Sequence, residues 1–128
     1  MFSITITVRQ EHLDDLQHVN NAVYVKWMEN VAGAHWRKLS EGFDLDHYIW
    51  VVLRHEIDYK GQATLGDVII AKTRVGDSSG FTSERFIEFY LENKLIVKAK
   101  TTWAMLHRKN YKPARIREDV LQVLKHKS

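Results

Sequence analysis

The sequence predicts an α+β fold in which an antiparallel sheet of five strands lies against one long helix. Three observations predict it. Between residues 21 and 39 the large apolar side chains fall at Tyr24, Trp27, Met28, Val31, Ala32, Trp36 and Leu39, the spacing of three and four that an amphipathic helix requires. Residues 50–108 are instead strand-like runs rich in β-branched and aromatic residues, separated by short turns. The chain carries no repeat, no low-complexity tract and no linker rich in Pro, Gly or Ser, so all of it is available to one domain spanning residues 1–128.

The elements follow in order. SITITVR (3–9) alternates as a strand does. The helix spans 21–39, with Asn20 or Asn21 as its N-cap and Gly42 as its stop. WVVLRHEIDYK (50–60) is a strand, and GQATLGD (61–67) connects it to the next, DVIIAKTRV (67–75). GDSSG (76–80) reads as a turn, after which FTSERFIEFYL (81–91) alternates and turns again at Glu92–Asn93. KLIVKAKTTWAMLHR (94–108) is the last strand; Pro113 follows it, and REDVLQVLKHK (117–127) reads as a short helix. One strand, one helix and four strands in hairpin succession bury both amphipathic surfaces when the helix covers one face of the sheet.

Composition excludes several classes of function. Hydrophobic residues make up 45% and charged residues 27%, so the chain is neither disordered nor fibrous. No apolar run approaches the roughly 20 residues of a transmembrane helix. The N-terminus alternates where a secretion signal would be an apolar block, and the expected location is the cytoplasm. With no cysteine there is no disulfide, no thiol nucleophile and no thiolate-bound zinc. A net charge of +3 suits an anionic ligand. It is weak support for an RNA-binding module, because no glycine-rich or aromatic RNA-binding motif accompanies it.

Chemistry concentrates in LDDLQHVNN (13–21), immediately before the helix. Acids and asparagines there are most often loop and cap residues. Asp14 and Asp15 are adjacent like charges, and the spacing does not choose between them. His12, Asp14 and His18 invite a metal reading, but their spacing fits no standard zinc signature.

The run Asp14, His18-Val19-Asn20-Asn21, Tyr24 and Trp27, followed by HEIDYKGQATLGD (55–67), resembles the hot-dog thioesterase superfamily. The likeness is to the branch around 4-hydroxybenzoyl-CoA thioesterase and the small bacterial acyl-CoA thioesterases. Weaker echoes are SSGFTSERFIEF (78–89) and TTWAMLHRKNYKPARI (101–116). Plant acyl-carrier-protein thioesterases show a similar Q-H-V-N-N run within two fused halves, whereas this chain supplies one. The sequence departs from the pattern at Gln17, where many relatives have glycine, at His12, where an acid is frequent, and at Leu16, where the plant enzymes carry asparagine.

The resemblance implies a single hot-dog domain that hydrolyses an acyl-CoA or acyl-carrier-protein thioester without metal or other cofactor, as a homodimer or homotetramer. It implies Asp14 as the catalytic carboxylate; the spacing alone does not choose it over Asp15. Thioester hydrolysis needs one carboxylate to activate water or to attack directly, and N–H donors where the oxyanion forms. An acid beside a helix start meets both needs, the donors being amides near Asn20, Asn21 and Ala22. His18 lies inside the motif, either catalytic, orienting the asparagines or simply packed.

Expected substrate contacts are Asn20 and Tyr24 at the helix start, Glu56 on the following strand, and Ser79, Gly80 and Phe81 in the turn at 76–81. Each has a bland reading: helix core for Tyr24, a solvated strand acid for Glu56, an ordinary hairpin turn for the last three. Arg108, Lys109, Lys112, Arg115 and Arg117 form a basic tail suited to CoA phosphates or to plain solvation. Two alternatives stand beside hydrolysis. One is a hot-dog dehydratase or hydratase, whose usual histidine–acid motifs are not found here; the other is a non-catalytic acyl-thioester-binding module.

Overall fold

A computed structural model describes residues 1–125 of the chain. Its elements are β1 (Phe2–Thr7), α1 (Asn21–Leu39), β2 (Tyr48–Tyr59), β3 (Val68–Ser79), β4 (Thr82–Leu91), β5 (Lys94–His107) and α2 (Glu118–Leu124). The five strands form one antiparallel sheet in the order β1-β3-β4-β5-β2, which leaves β1 and β2 as its edges. The expected α+β class holds. Among the described residues no helix is long and apolar enough to cross a membrane.

The period-two pattern of each strand decides which residues meet α1. Phe2, Ile4 and Ile6 of β1 stand opposite Thr73, Ala71 and Ile69 of β3 on the helix-facing side. Ile87 and Phe89 of β4 and Val97 and Ala99 of β5 continue that face. Tyr24, Trp27, Met28 and Val31 of α1 close over it, with Tyr24 edge-on to Phe89 at 5.3 Å. Removing apolar surface of this extent from water is the main force holding α1 to the sheet; burial of one phenylalanine such as Phe89 contributes about 1.5–3 kcal/mol. A second apolar cluster joins Leu39 and Met105 to Val120 and Val123 of α2. The opposite face of the sheet is mixed: Lys100 bridges Glu56 and Glu84 at 3.3 Å each, and Val68 and Ile70 are exposed there.

Several boundaries differ from the sequence expectation. β1 ends at Thr7, not at residue 9: the Val8 N–H still donates to the Asp67 carbonyl, in line with the β1–β3 register, and the chain then enters a 3₁₀ turn at Gln10–His12. α1 spans Asn21–Leu39 as expected, but its C-cap is Ser40; Gly42, the expected stop, follows at φ 83 in the reversal that comes after. The expected 76–80 turn is mostly strand. β3 runs on to Ser79 through a bulge between Val75 and Ser78, held by a Ser78–Ser83 hydroxyl contact of 2.9 Å. The reversal is confined to Gly80 and Phe81, with Gly80 at φ 62 as a two-residue hairpin needs. The Glu92–Asn93 turn is present, both residues having positive φ. α2 begins at Glu118, one residue after the expected start; residues 126 and 127 of the expected helix lie outside the described residues.

Candidate active site

The loop before α1 is closed by its own backbone. Leu13 and Val19 form an antiparallel bridge, and between them the Asp14 N–H donates to the His18 carbonyl at 2.8 Å. The Asp14 carboxylate turns inward over this loop, where Oδ1 accepts the Leu16 N–H at 2.9 Å and the His18 N–H at 3.2 Å. Its other oxygen, Oδ2, has no partner among the described residues. The tight reversal is reached with Gln17 at φ 62, the left-handed region that favours glycine. Thr64 braces it from the β2–β3 connection, its hydroxyl donating to the Gln17 carbonyl at 2.8 Å.

Asn20 is the N-cap of α1, its side-chain oxygen accepting the Ala22 N–H at 2.9 Å. Its carbonyl accepts the Val23 N–H, and its own N–H donates to His12. Of the amides expected near the helix start, those of Asn20 and Ala22 are therefore engaged. The Asn21 N–H, at the first helical position, has no partner among the described residues.

Asp14, His18, Asn21 and Tyr24 line one cavity of about 550 Å³, completed by Leu16, Val19, Tyr59, Lys60, Gly61 and Gln62. Tyr24 is buried and its hydroxyl has no partner among the described residues. Burial first, then the nearby Tyr59 and Asp67, push its pKa up to about 12, so the hydroxyl keeps its proton and remains a donor. Tyr59 reaches across the cavity with its hydroxyl 3.3 Å from the Asn21 carbonyl, and burial raises its pKa as well.

The other expected site residues do not line this cavity. Asn20 is committed to its capping bond. Glu56 is on the face of the sheet away from α1, paired with Lys100 at 3.3 Å and Arg54 at 3.5 Å. Ser79, Gly80 and Phe81 form the tip of the β3–β4 hairpin, at the opposite end of β3 from the Asp14 loop and separated from it by roughly 35–40 Å of extended strand. The Gly80 and Phe81 carbonyls there accept the Ile116 and Met105 amides. His12 faces inward differently: Nδ1 accepts the Arg9 N–H at 2.9 Å and the ring meets Trp27 edge-on.

The strand HEIDYK (55–60) is expected from the sequence to face Asp14 of a partner subunit; here Tyr59 and Lys60 line the Asp14 cavity of their own chain, and Gln62, given no role by the sequence, joins them. Sequence reasoning also passed over Arg85. Ser83, Arg85, Ile87 and Phe89 share one face of an alternating strand, so a period-two count places that arginine among buried residues.

Comparisons with known proteins agree with the fold. Residues 8–124 match the Thioesterase-like superfamily. The long-chain acyl-CoA thioesterase FadM of Escherichia coli (strain K12) is 28% identical over 134 residues, covering 94% of this chain and 97% of that protein. A predicted thioesterase from Bacillus stearothermophilus superposes with a TM-score of 0.86 at 19% identity, over 97% of this chain and 93% of that one. A Thermus thermophilus thioesterase complexed with coenzyme A and Zn superposes with a TM-score of 0.83 at 23% identity, over 96% and 90% of the two chains.

Proposed function

Because the chain belongs to the thioesterase-like superfamily, we propose that it hydrolyses acyl-CoA thioesters, with Asp14 as the catalytic carboxylate and the Asn21 N–H as an oxyanion donor. One observation carries this reading. A carboxylate with a free oxygen and an amide with no acceptor line the same cavity at the start of a long helix.

Asp14 Oδ2 takes a proton from water, which attacks the thioester carbonyl; alternatively the same oxygen attacks and the resulting anhydride is hydrolysed. Either way a C–O bond forms, the C–S bond breaks, and the thiolate leaves and takes up a proton. Negative charge developing on the carbonyl oxygen is met by the Asn21 N–H, aided by the α1 dipole. The protonated Tyr24 hydroxyl supplies a further donor on the cavity wall. His18 lines the cavity and, through its backbone, fixes the carboxylate. The similarity to a long-chain acyl-CoA thioesterase supports CoA over a carrier protein as the thiol.

The working unit of this reading is a homodimer joined along the free edge of β2, whose last residue, Tyr59, is part of the cavity wall. Thiol release measured over a panel of aliphatic and aromatic acyl-CoAs tests the function. Steady release with at least one member supports it. Tight binding of several members with no release would replace hydrolysis by a binding role.

A further inference from the structure

A second cavity, of about 330 Å³, lies under the C-terminal half of α1. Its walls include Gly33 and Trp36 of α1, Trp50 of β2, Arg85 of β4 and Trp103 of β5. Asn21 and Gly33 are roughly 18 Å apart along the helix axis, so this cavity is separate from the one at Asp14.

Arg85 is only 6% exposed, and none of the ion pairs among the described residues includes it. Its Nη1 meets His35 Nδ1 at 2.8 Å and the Thr73 hydroxyl at 3.0 Å, two groups that carry no charge at neutral pH. Burial, reinforced by Arg85 itself, holds the His35 pKa at about 4, so that ring is a neutral acceptor. Burial lowers the Arg85 pKa to about 10, which still leaves the guanidinium protonated. A buried cation without a counter-charge is costly to keep. Two more donors on the same wall are unmet: the indole N–H groups of Trp50 and Trp103 are buried with no acceptor among the described residues.

We propose that this cavity binds an organic carboxylate with an apolar or aromatic body, its oxygens taken by the Arg85 guanidinium and the Trp50 and Trp103 indole N–H groups. A guanidinium matches the planar, two-oxygen shape of a carboxylate. Trp36 and Trp50 meet edge to face at 5.5 Å and give the ligand's body an aromatic wall. The volume is near the lower bound of small-molecule sites and fits a ring-sized or short-chain acid.

Gly33 supports the same reading. Glycine weakens a helix interior relative to alanine. Yet a Cβ at Gly33 would meet only the flexible end of Arg37, Nη1 at 3.3 Å. Gly33 lines the cavity with its backbone alone. The inference does not depend on thioester hydrolysis; where hydrolysis holds, the acid it releases belongs to the ligand class.

The test is titration of the intact protein with benzoate and with hexanoate, followed by calorimetry and by fluorescence of the tryptophans that line the cavity. Benzamide, the same size without the charge, is the control. Benzoate or hexanoate should bind saturably, with benzoate at least about tenfold tighter than benzamide, the ratio expected of one charge-assisted contact. Arg85→Gln should remove that preference. Gly33→Leu, which fills the cavity without touching its charge, should abolish binding while leaving the circular dichroism spectrum unchanged. Equal affinity for benzoate and benzamide overturns the proposal, as does the absence of saturable binding by either acid. If Arg85→Gln does not fold, unchanged benzoate binding in folded Gly33→Leu overturns it equally.

Discussion

Asp14 and His18 hold each other through the backbone: the Asp14 N–H donates to the His18 carbonyl at 2.8 Å, and the His18 N–H returns to Asp14 Oδ1 at 3.2 Å. The orientation of the carboxylate is therefore a property of the loop, and it survives changes that keep an oxygen at that position. Asparagine does so, with a carbonyl oxygen able to accept the same two amides. Asp14→Asn should thus fold and bind ligand much as the parent does, while hydrolysis falls by at least about a hundredfold, the loss expected with a general base or nucleophile. Asp15 is exposed and outside the cavity, so Asp15→Asn should stay within severalfold of the parent. Near-parental rates in folded Asp14→Asn would remove the assignment, and the reverse order of the two variants would move it to Asp15.

The Asn21 amide gives a second prediction. Its position is the first of α1, where proline is well tolerated because no helical hydrogen bond is lost. Asn21→Pro removes the N–H, whereas Asn21→Ala keeps it. If that N–H stabilises the oxyanion, the proline variant should turn over about a hundredfold more slowly than the alanine variant, the scale of losing one such donor. Matching kcat values in the two folded variants would argue for a donor elsewhere, with Tyr24 the next to test by Tyr24→Phe.

Much of this architecture was legible in the residues. The apolar stripe marked α1 to within its described limits, and Glu92–Asn93 marked its hairpin, because both signals are local. The end of β3 was not legible: Gly76, Asp77, Ser78 and Ser79 have the composition of a turn, yet pairing with β4 and the Ser78–Ser83 contact carry the strand through them. The site divided in the same way. Asp14, His18, Asn21 and Tyr24 lie close together along the chain and share a cavity. Ser79, Gly80, Phe81 and Glu56 are distant in sequence, and their separation from Asp14 depends on strand length and on which face a residue takes. Arg85 was legible by alternation, but its lack of a carboxylate partner is a three-dimensional fact.

Gln17 offers a test by stability. Its φ of 62 costs a side-chain-bearing residue about 1 kcal/mol relative to glycine. Its hydrogen bond from Thr64 uses the backbone carbonyl, which glycine retains. Gln17→Gly should therefore be neutral or stabilising by up to about 1 kcal/mol in urea unfolding, despite glycine's greater freedom in the unfolded chain. A loss of more than about 1 kcal/mol would mean that the Gln17 side chain makes a stabilising contact of its own.

His35 makes stability depend on pH. Its folded pKa of about 4 lies below its ordinary value of 6.5, so between those values the unfolded chain binds the proton more readily. Its contribution is fully present above pH 6.5 and is lost as pH falls towards 4. The shift corresponds to roughly 3 kcal/mol at most. His35→Gln keeps an acceptor for Arg85 but does not titrate. Urea midpoints at pH 7.5 and 4.5 should therefore fall further in the parent than in the variant. Equal falls would show that His35 is not the titrating group, since carboxylate effects are common to both proteins.

The dimer is tested through β2. This edge strand runs unbroken by proline from Tyr48 to Tyr59 and carries Leu53 at 56% and Tyr59 at 41% exposure. A long edge with apolar side chains in solvent is a surface that pairs with another chain. Because Tyr59 and Lys60 are also part of the Asp14 cavity wall, a partner strand laid along β2 would come to rest against that cavity. Sedimentation at micromolar concentration should show a homodimer, alone or paired into a tetramer. Leu53→Lys places a charge on the edge without approaching Asp14, and it should weaken association by at least about tenfold, as a charge forced into a partly apolar contact does. Activity of Leu53→Lys should then rise and fall with the dimer fraction as protein concentration is varied. A parent protein that sediments as a monomer with full activity would show instead that one chain holds a complete site.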